Sequence, residues 1–182
     1  MKPRDIPNLI SLIRILFLLP IVLMMLAQDY GTALVLVLIA GASDALDGWL
    51  ASRFGWQSEF GAKLDPLADK LLLVSSFLTL GYTGLVPAWL VWLVVARDVV
   101  IVAGATAYHF YIGPFAARPT WLSKANTTVQ VAYVLAMLSN AVWLWLGPGA
   151  ALALAFVTGA TTVASGVDYV VTWGYRARRG ET

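Results

Sequence analysis

The chain lacks cysteine and contains a single histidine among its 182 residues. The absence of cysteine excludes structural disulfides and thiolate metal sites. Charged residues are also scarce, at 12% of the sequence, whereas hydrophobic residues make up 60%. A composition this apolar is typical of integral membrane proteins. The net charge of only +2 argues against nucleic-acid binding, which needs a clustered basic surface.

Six apolar segments are long enough to cross a bilayer, for which roughly 20 residues are needed. They are 6–27, 32–52, 66–82, 86–110, 122–146 and 149–173. The breaks at 28–31, 81–84 and 147–149 contain no Lys or Arg, and the basic residues gather at the opposite segment ends. Because cytoplasmic loops carry the excess of Lys and Arg, the pattern predicts an all-α protein with six transmembrane helices and both termini cytoplasmic. We expect residues 1–182 to form one transmembrane domain.

Four aspartates lie where the second and third segments meet: Asp44, Asp47, Asp65 and Asp69. Charges in such apolar surroundings are costly and are usually functional. The spacings of three and four place each pair on one helix face. Carboxylates this close coexist only if some are protonated or if divalent cations neutralise them. An all-oxygen ligand set suits Mg²⁺ or Mn²⁺, so the stretch predicts a polar metal cavity on the cytoplasmic side.

The order of these residues forms a longer motif, Asp44-x2-Asp47-Gly48-x2-Ala51 followed by Gly61-x3-Asp65-x3-Asp69. This motif resembles the signature of the CDP-alcohol phosphotransferase family. The resemblance extends over nearly the whole chain, to Pro7-Asn8, Arg14, Arg97-Asp98 and Ser123-Lys124. One position departs from the family: its arginine directly after the alanine is Ser52 here, with Arg53 next. Consecutive helix positions lie about 100° apart, so Arg53 is offset by about 100° around the helix from the position of that arginine.

The resemblance implies roles for the matching residues. Asp44, Asp47 and Asp65 would hold one or two divalent metals, and Asp69 would be both a metal ligand and the general base on the acceptor hydroxyl. The residues implied to bind the CDP group are Asn8, Gly48, Ala51, Arg53 and Gly61. The small residues among them let the cytidine approach the helix backbone. The family also implies a homodimer.

The acceptor alcohol is suggested by the start of the fifth segment. Members that make phosphatidylglycerol phosphate typically have Gly-Lys-x-Lys-Thr there, whereas this chain has Ser123-Lys124-Ala125-Asn126-Thr127. An amide can hydrogen-bond a hydroxyl or ester but cannot balance a phosphate dianion. The pattern is more similar to cardiolipin synthases of the mitochondrial type, which transfer phosphatidyl from CDP-diacylglycerol to phosphatidylglycerol and release CMP. We expect the acceptor or lipid phosphate to bind at Arg97, Arg118, Lys124 and Asn126.

Several alternatives compete with this interpretation. Within the family, synthesis of phosphatidylglycerol phosphate is the nearest one, and an ion-coupled transporter is an alternative from another class because carboxylates also line ion pathways. Asp65 followed by Pro66 is a pattern of helix N-termini, and Asp98 is a candidate to neutralise Arg97. The first segment starts without a transit-like leader, which favours a multi-pass protein of a bacterial inner membrane.

Overall fold

The computed structural model describes the backbone of residues 6–54, 59–111 and 120–179, and the side chains of 15–43, 46, 53–54, 67–106 and 120–172. Within these ranges all regular structure is helical. The helices are α1 (Ile6–Leu26), α2 (Tyr30–Phe54), α3 (Glu59–Tyr82), α4 (Ala88–Tyr111), α5 (Trp121–Trp143) and α6 (Pro148–Arg179). Among the described residues, Ala88–Thr106 and Pro148–Thr172 are long and apolar enough to cross a membrane. The all-α class is confirmed and agrees with a membrane protein, while six spans and cytoplasmic termini stay predictions.

The end of α1 and the start of α2 explain the predicted break at 28–31. After α1, Gln28 adopts a left-handed conformation with φ of 61°, and the backbone N–H groups of Gln28 and Asp29 donate to Met25 and Met24. This is the pattern of a Schellman helix end. The side chain of Asp29 then accepts a hydrogen bond of 3.1 Å from the backbone N–H of Thr32 and caps α2. Hydrogen bonds from the side chain of Thr32 and from its backbone N–H hold the pKa of Asp29 below its usual value.

Helix α3 begins earlier than the apolar pattern indicates. It starts at Glu59, so Asp65 and Pro66 lie inside the helix, and the alternative that Asp65 caps the helix start is wrong. A proline inside a helix removes one backbone hydrogen bond, and α3 continues through it over 24 residues. Asp65 and Asp69 therefore lie on one continuous helix, as the motif requires.

The chain divides into two compact units. Unit 1 contains Met1–Leu85 and Val134–Trp145, and unit 2 contains Val86–Tyr133 and Leu146–Thr182, so α5 contributes to both. In unit 1, α1 packs against α2 and α3. Of the side chains described there, the largest buried apolar ones are Ile21, Met25, Phe77, Leu80 and Leu138.

In unit 2, α4 packs against α6. The ring of Trp89 stacks on Phe156 with centroids 5.4 Å apart. A methyl group at Gly159 would lie only 2.8 Å from Cζ3 of Trp89, so glycine is required for this close approach. Further along the same two helices Arg97 lies beside Gly166. Residue numbers therefore increase together along the contact, and α4 and α6 run parallel.

Candidate functional site

The four aspartates of the motif lie on α2 and α3, two helices that share α1 as a packing partner. Asp44 and Asp47 belong to α2, and Asp65 and Asp69 belong to α3. The helical backbone that the motif requires is thus present at all four positions. The side chain of Asp69 is exposed, and those of the other three lie outside the described side chains. The metal site itself stays a prediction.

The predicted CDP-binding residues belong to the same unit. Gly48 and Ala51 lie in α2, Gly61 in α3 and Asn8 in α1, and their surroundings lie outside the described side chains. Arg53 is exposed and occupies the last turn of α2. A cation there interacts favourably with the helix dipole. Its contact with a pyrophosphate is a prediction.

Arg97 forms the centre of a second polar cluster, in unit 2. Its Nη1 donates to Oδ1 of Asp98 at 2.9 Å, and its Nη2 donates to Oγ of Ser123 at 2.8 Å and of Ser165 at 2.7 Å. The side chain of Arg97 is only 8% exposed. One guanidinium thus connects α4, α5 and α6, and its Nε–H group makes no hydrogen bond to the described residues.

The contact with Asp98 bears on the role of Arg97. Both side chains are buried, at 8% and 9% exposure, and a buried charge is tolerated when it is paired and hydrogen-bonded. The neutralising ion pair considered for Asp98 is therefore present. Binding of a lipid phosphate by Arg97 stays a prediction.

Lys124 occupies the first turns of α5, where backbone N–H groups have no helical partner. Thr120 caps this end, because its Oγ1 accepts a hydrogen bond of 3.2 Å from the backbone N–H of Ser123. The Lys124 side chain is exposed, with Nζ 5.6 Å from the ring centroid of Trp121. A helix start with an adjacent cation is suited to an anion. Arg118 lies outside the described residues.

Asn126 is fully buried and belongs to a polar contact between α5 and α6. Its Oδ1 accepts a hydrogen bond of 3.0 Å from the hydroxyl of Thr162, and that hydroxyl accepts one of 3.1 Å from Nε2 of Gln130. The Thr162 hydroxyl also lies 2.7 Å from the carbonyl oxygen of Thr158. The Nδ2 of Asn126 has no partner among the described residues. If Asn126 meets the acceptor, as predicted, Nδ2 is the atom to do so.

Four of these polar residues were not predicted from the sequence to belong to a cluster: Ser123, Gln130, Thr162 and Ser165. A signal for them exists. Polar residues recur at helical spacing in α5, at 123, 126 and 130, and in α6, at 158, 162 and 165, so each set shares one face. The structure also buries Oδ2 of Asp168 without a hydrogen-bond partner among the described residues.

The CDP-alcohol phosphatidyltransferase family model matches residues 4–167. The chain belongs to this family. The match spans both units and includes every motif aspartate and the polar cluster around Arg97. Members of the family generally use divalent metal ions, which agrees with the all-oxygen donor set of the motif.

Three relatives illustrate the similarity. A probable cardiolipin synthase (CMP-forming) of Drosophila melanogaster is 37% identical over 91% of this chain and 56% of its own length. A cardiolipin synthase (CMP-forming) of Streptomyces coelicolor is 32% identical over 91% of this chain and 81% of its own length. A chloroplastic CDP-diacylglycerol–glycerol-3-phosphate 3-phosphatidyltransferase of rice is 32% identical over 91% of this chain and 56% of its own length. The chain thus spans little more than half the length of the fly and rice proteins.

Proposed function

We propose that this protein transfers the phosphatidyl group of CDP-diacylglycerol to phosphatidylglycerol, forming cardiolipin and releasing CMP. Family membership supports a transferase over the ion-coupled transporter. The observation that carries the choice of acceptor is the start of α5. Lys124 is exposed there, and the position of the second lysine in the Gly-Lys-x-Lys-Thr pattern is occupied by the neutral, buried Asn126. The relatives from fly and Streptomyces, which are named cardiolipin synthases, support the same choice.

The charge of the acceptor phosphate decides between the candidate acceptors. A phosphate monoester such as glycerol 3-phosphate carries nearly two charges near neutral pH, whereas the phosphodiester of phosphatidylglycerol carries one. The single charge of Lys124, with the N–H groups at the start of α5, balances a diester. Arg97 already shares its charge with Asp98. The described part of this site therefore favours the diester.

The donor set of the motif fits a divalent cation. Its members are carboxylates, the ligands that Mg²⁺ and Mn²⁺ prefer, and the side chain of Asp69 is exposed and thus accessible to an ion. Asp44, Asp47, Asp65 and Asp69 would hold the ion. When bound, it supplies positive charge that stabilises the pyrophosphate oxygens and the departing CMP.

The chain's own residues supply the remaining chemistry. The carboxylate of Asp69 accepts the proton of the acceptor hydroxyl while the hydroxyl oxygen forms a bond to the phosphatidyl phosphorus. The bond from that phosphorus to the CMP oxygen breaks, and CMP carries away the electron pair. Small residues at Gly48, Ala51 and Gly61 leave room for the cytidine beside α2 and α3. Lys124 and Nδ2 of Asn126 orient the acceptor.

The cellular setting follows from the same proposal. Six spans place the motif on the cytoplasmic side, where soluble CMP can leave, and the protein would be a homodimer in a bacterial inner membrane. A second candidate, synthesis of phosphatidylglycerol phosphate from glycerol 3-phosphate, is favoured by the similarity to the rice transferase. It requires a second cation that position 126 does not provide.

The test is a lipid-product assay with purified protein and radiolabelled CDP-diacylglycerol. Phosphatidylglycerol, glycerol 3-phosphate, inositol and serine are offered separately. We expect product with phosphatidylglycerol alone, and we expect Lys124→Gln to raise the KM for phosphatidylglycerol while the KM for CDP-diacylglycerol is unchanged. Thr128→Ala is the control, because Thr128 is exposed one turn further along α5 and, among the described residues, its hydroxyl donates to the Lys124 carbonyl alone. Product from glycerol 3-phosphate but not from phosphatidylglycerol would replace the proposal by the second candidate.

A further inference from the structure

A groove of about 370 Å³ runs along unit 2 between α4 and α6. One wall is formed by α4 from Leu93 to Val100, and the other by α6 from Thr162 to Val171. Nine residue steps along α6 correspond to about 14 Å. One leaflet occupies half of the bilayer core, or about 15 Å. The groove therefore has the length of one lipid chain.

Among the described residues, the lining of this α4–α6 groove is apolar apart from Arg97 and Thr162. Valines such as Val100 and Val167 form its rim and are 47% and 57% exposed. Lipid tails are as apolar as these side chains, so hydrophobicity alone would not hold a particular chain here. The shape of the groove holds a chain, because its walls of stiff, β-branched side chains enclose the chain on two sides and add van der Waals contacts.

The two polar lining residues connect the groove to the proposed acceptor site. The hydroxyl of Thr162 bonds Asn126, and the Nη2 of Arg97 bonds Ser123, the neighbour of Lys124. The groove is thus one side chain away from the residues that would hold the acceptor phosphate. The residues proposed to bind CDP-diacylglycerol, by contrast, all belong to unit 1.

The charge of the groove also indicates an amphiphilic ligand. The stem of Arg97 passes Gly166, where an added methyl group would lie 3.5 Å from Cγ of Arg97. The Nε of this buried guanidinium has no partner among the described residues. An ester oxygen of a phospholipid would accept a hydrogen bond from this Nε–H, while the acyl chain of the same lipid would lie against the valines of the groove.

We propose that the α4–α6 groove binds one acyl chain of the acceptor phospholipid. The inference rests on the proposed function and explains how the enzyme would select a membrane lipid over a water-soluble phosphate as acceptor. The chain would align the lipid so that its headgroup meets Lys124 and Asn126. The affinity for the acceptor would then depend on the length of its chains.

A substitution at the groove rim tests this dependence. Val167→Phe narrows the groove, and we expect it to raise the KM for long-chain phosphatidylglycerol by roughly tenfold. The KM for CDP-diacylglycerol and that for short-chain phosphatidylglycerol should stay unchanged. Val99→Phe and Val157→Phe are matched controls, because these valines are 60% and 53% exposed on the same helices and do not line the groove. Equal KM values for Val167→Phe and the controls would overturn the proposal.

Photocrosslinking tests the site without relying on activity. Phosphatidylglycerol with a diazirine in one acyl chain is added to the protein in phosphatidylcholine nanodiscs, and the labelled residues are mapped by mass spectrometry. We expect labels on the groove residues of α4 and α6, suppressed by unlabelled phosphatidylglycerol and not by added phosphatidylcholine. Even labelling of all lipid-facing helices, or labelling competed equally by both lipids, would overturn the proposal. The proposal would also be overturned if a CDP-diacylglycerol that carries the diazirine labelled the groove and the phosphatidylglycerol probe did not.

The two proposals can fail separately. If unlabelled phosphatidylglycerol suppresses labelling of the groove but the protein makes no cardiolipin, the acyl-chain site is retained and the proposed reaction is rejected. Cardiolipin formation whose KM is insensitive to chain length would retain the reaction and reject the chain site.

Discussion

The hydroxyl of Thr162 joins α5 to α6 at the level of Asn126, and its removal makes a sharp test of this contact. In Thr162→Val the shape of the side chain is nearly kept. The Oδ1 of Asn126 loses a donor and the Nε2 of Gln130 loses an acceptor. All three side chains are buried, so water does not easily replace the lost partners. We expect a less stable protein and a displaced Asn126.

The expected magnitude follows from the number of lost bonds. Hydrogen bonds between membrane helices contribute about 0.6 kcal/mol on average and up to about 1.7 kcal/mol. Loss of two such bonds should therefore lower the free energy of unfolding by about 1–3 kcal/mol. Thr161→Val is the control, because in the described part of the chain the Thr161 hydroxyl donates only within α6, to the carbonyl of Thr158 at 3.0 Å. That variant should change the free energy of unfolding by less than about 0.5 kcal/mol.

Unfolding of the purified variants in mixed micelles measures the stability, and the KM for each substrate measures the site. Thr162→Val should also raise the KM for phosphatidylglycerol while the KM for CDP-diacylglycerol stays unchanged, and Thr162→Ser should restore much of both properties. If Thr162→Val and Thr161→Val are equally stable and equally active, the contact between α5 and α6 does not have the role we infer.

Three further predictions concern the motif and the packing. Asp69→Asn should lower the transfer rate by about 10² to 10⁴ while CDP-diacylglycerol binding, measured by equilibrium dialysis, stays largely intact; a fully active variant would remove the assignment of the base. Gln28→Gly should raise the free energy of unfolding by about 1 kcal/mol, because it relieves a left-handed residue with φ of 61°. Gly84→Ala should lower the free energy of unfolding by about 1 kcal/mol, because the alanine would have to adopt the left-handed conformation of Gly84, with φ of 81°. Unfolding titrations that show the opposite signs would contradict this account of the helix ends. Gly159→Ala should cost about 1–3 kcal/mol, because the new methyl group meets Trp89. Its control Gly41→Ala adds a methyl group with no neighbour within 4 Å and should be neutral or stabilising in the same titration.

The sequence predicts the helices well because apolar length dominates the signal in such a chain. The end of α1, for example, was expected at residue 27 and lies at Leu26. Helices α6 and α3 are exceptions: α6 continues past the expected end at 173 to Arg179, and α3 begins before the expected start at 66. The first turns of α3 contain Glu59, Lys63 and Asp65, so an apolar pattern detects the helix only from Pro66 onwards.

The motif aspartates of the candidate site were predicted from the sequence, but the partners of Arg97 were not, and the reason is physical. The motif aspartates were identified because their spacing within a helix is a local property that the sequence displays directly. The bonds of Arg97 to Ser123 and Ser165 join residues that are 26 and 68 positions apart. Which helix faces meet depends on tertiary packing, so the periodic polar residues of α5 and α6 indicate a buried stripe but not its partner. The homodimer and the metal stay predictions that the described residues do not test.

The most direct measurement of the central claim is a competition between the two acceptors in one reaction. Purified protein receives radiolabelled CDP-diacylglycerol, Mg²⁺, and equal concentrations of phosphatidylglycerol and glycerol 3-phosphate, and the lipid products are separated and identified by mass spectrometry. A parallel reaction contains excess chelator and is later supplied with Mn²⁺. We predict cardiolipin as the dominant product, one CMP released per cardiolipin, no product with chelator, and recovery with metal. Phosphatidylglycerol phosphate as the dominant product, or cardiolipin formation undiminished by the chelator, would contradict the account.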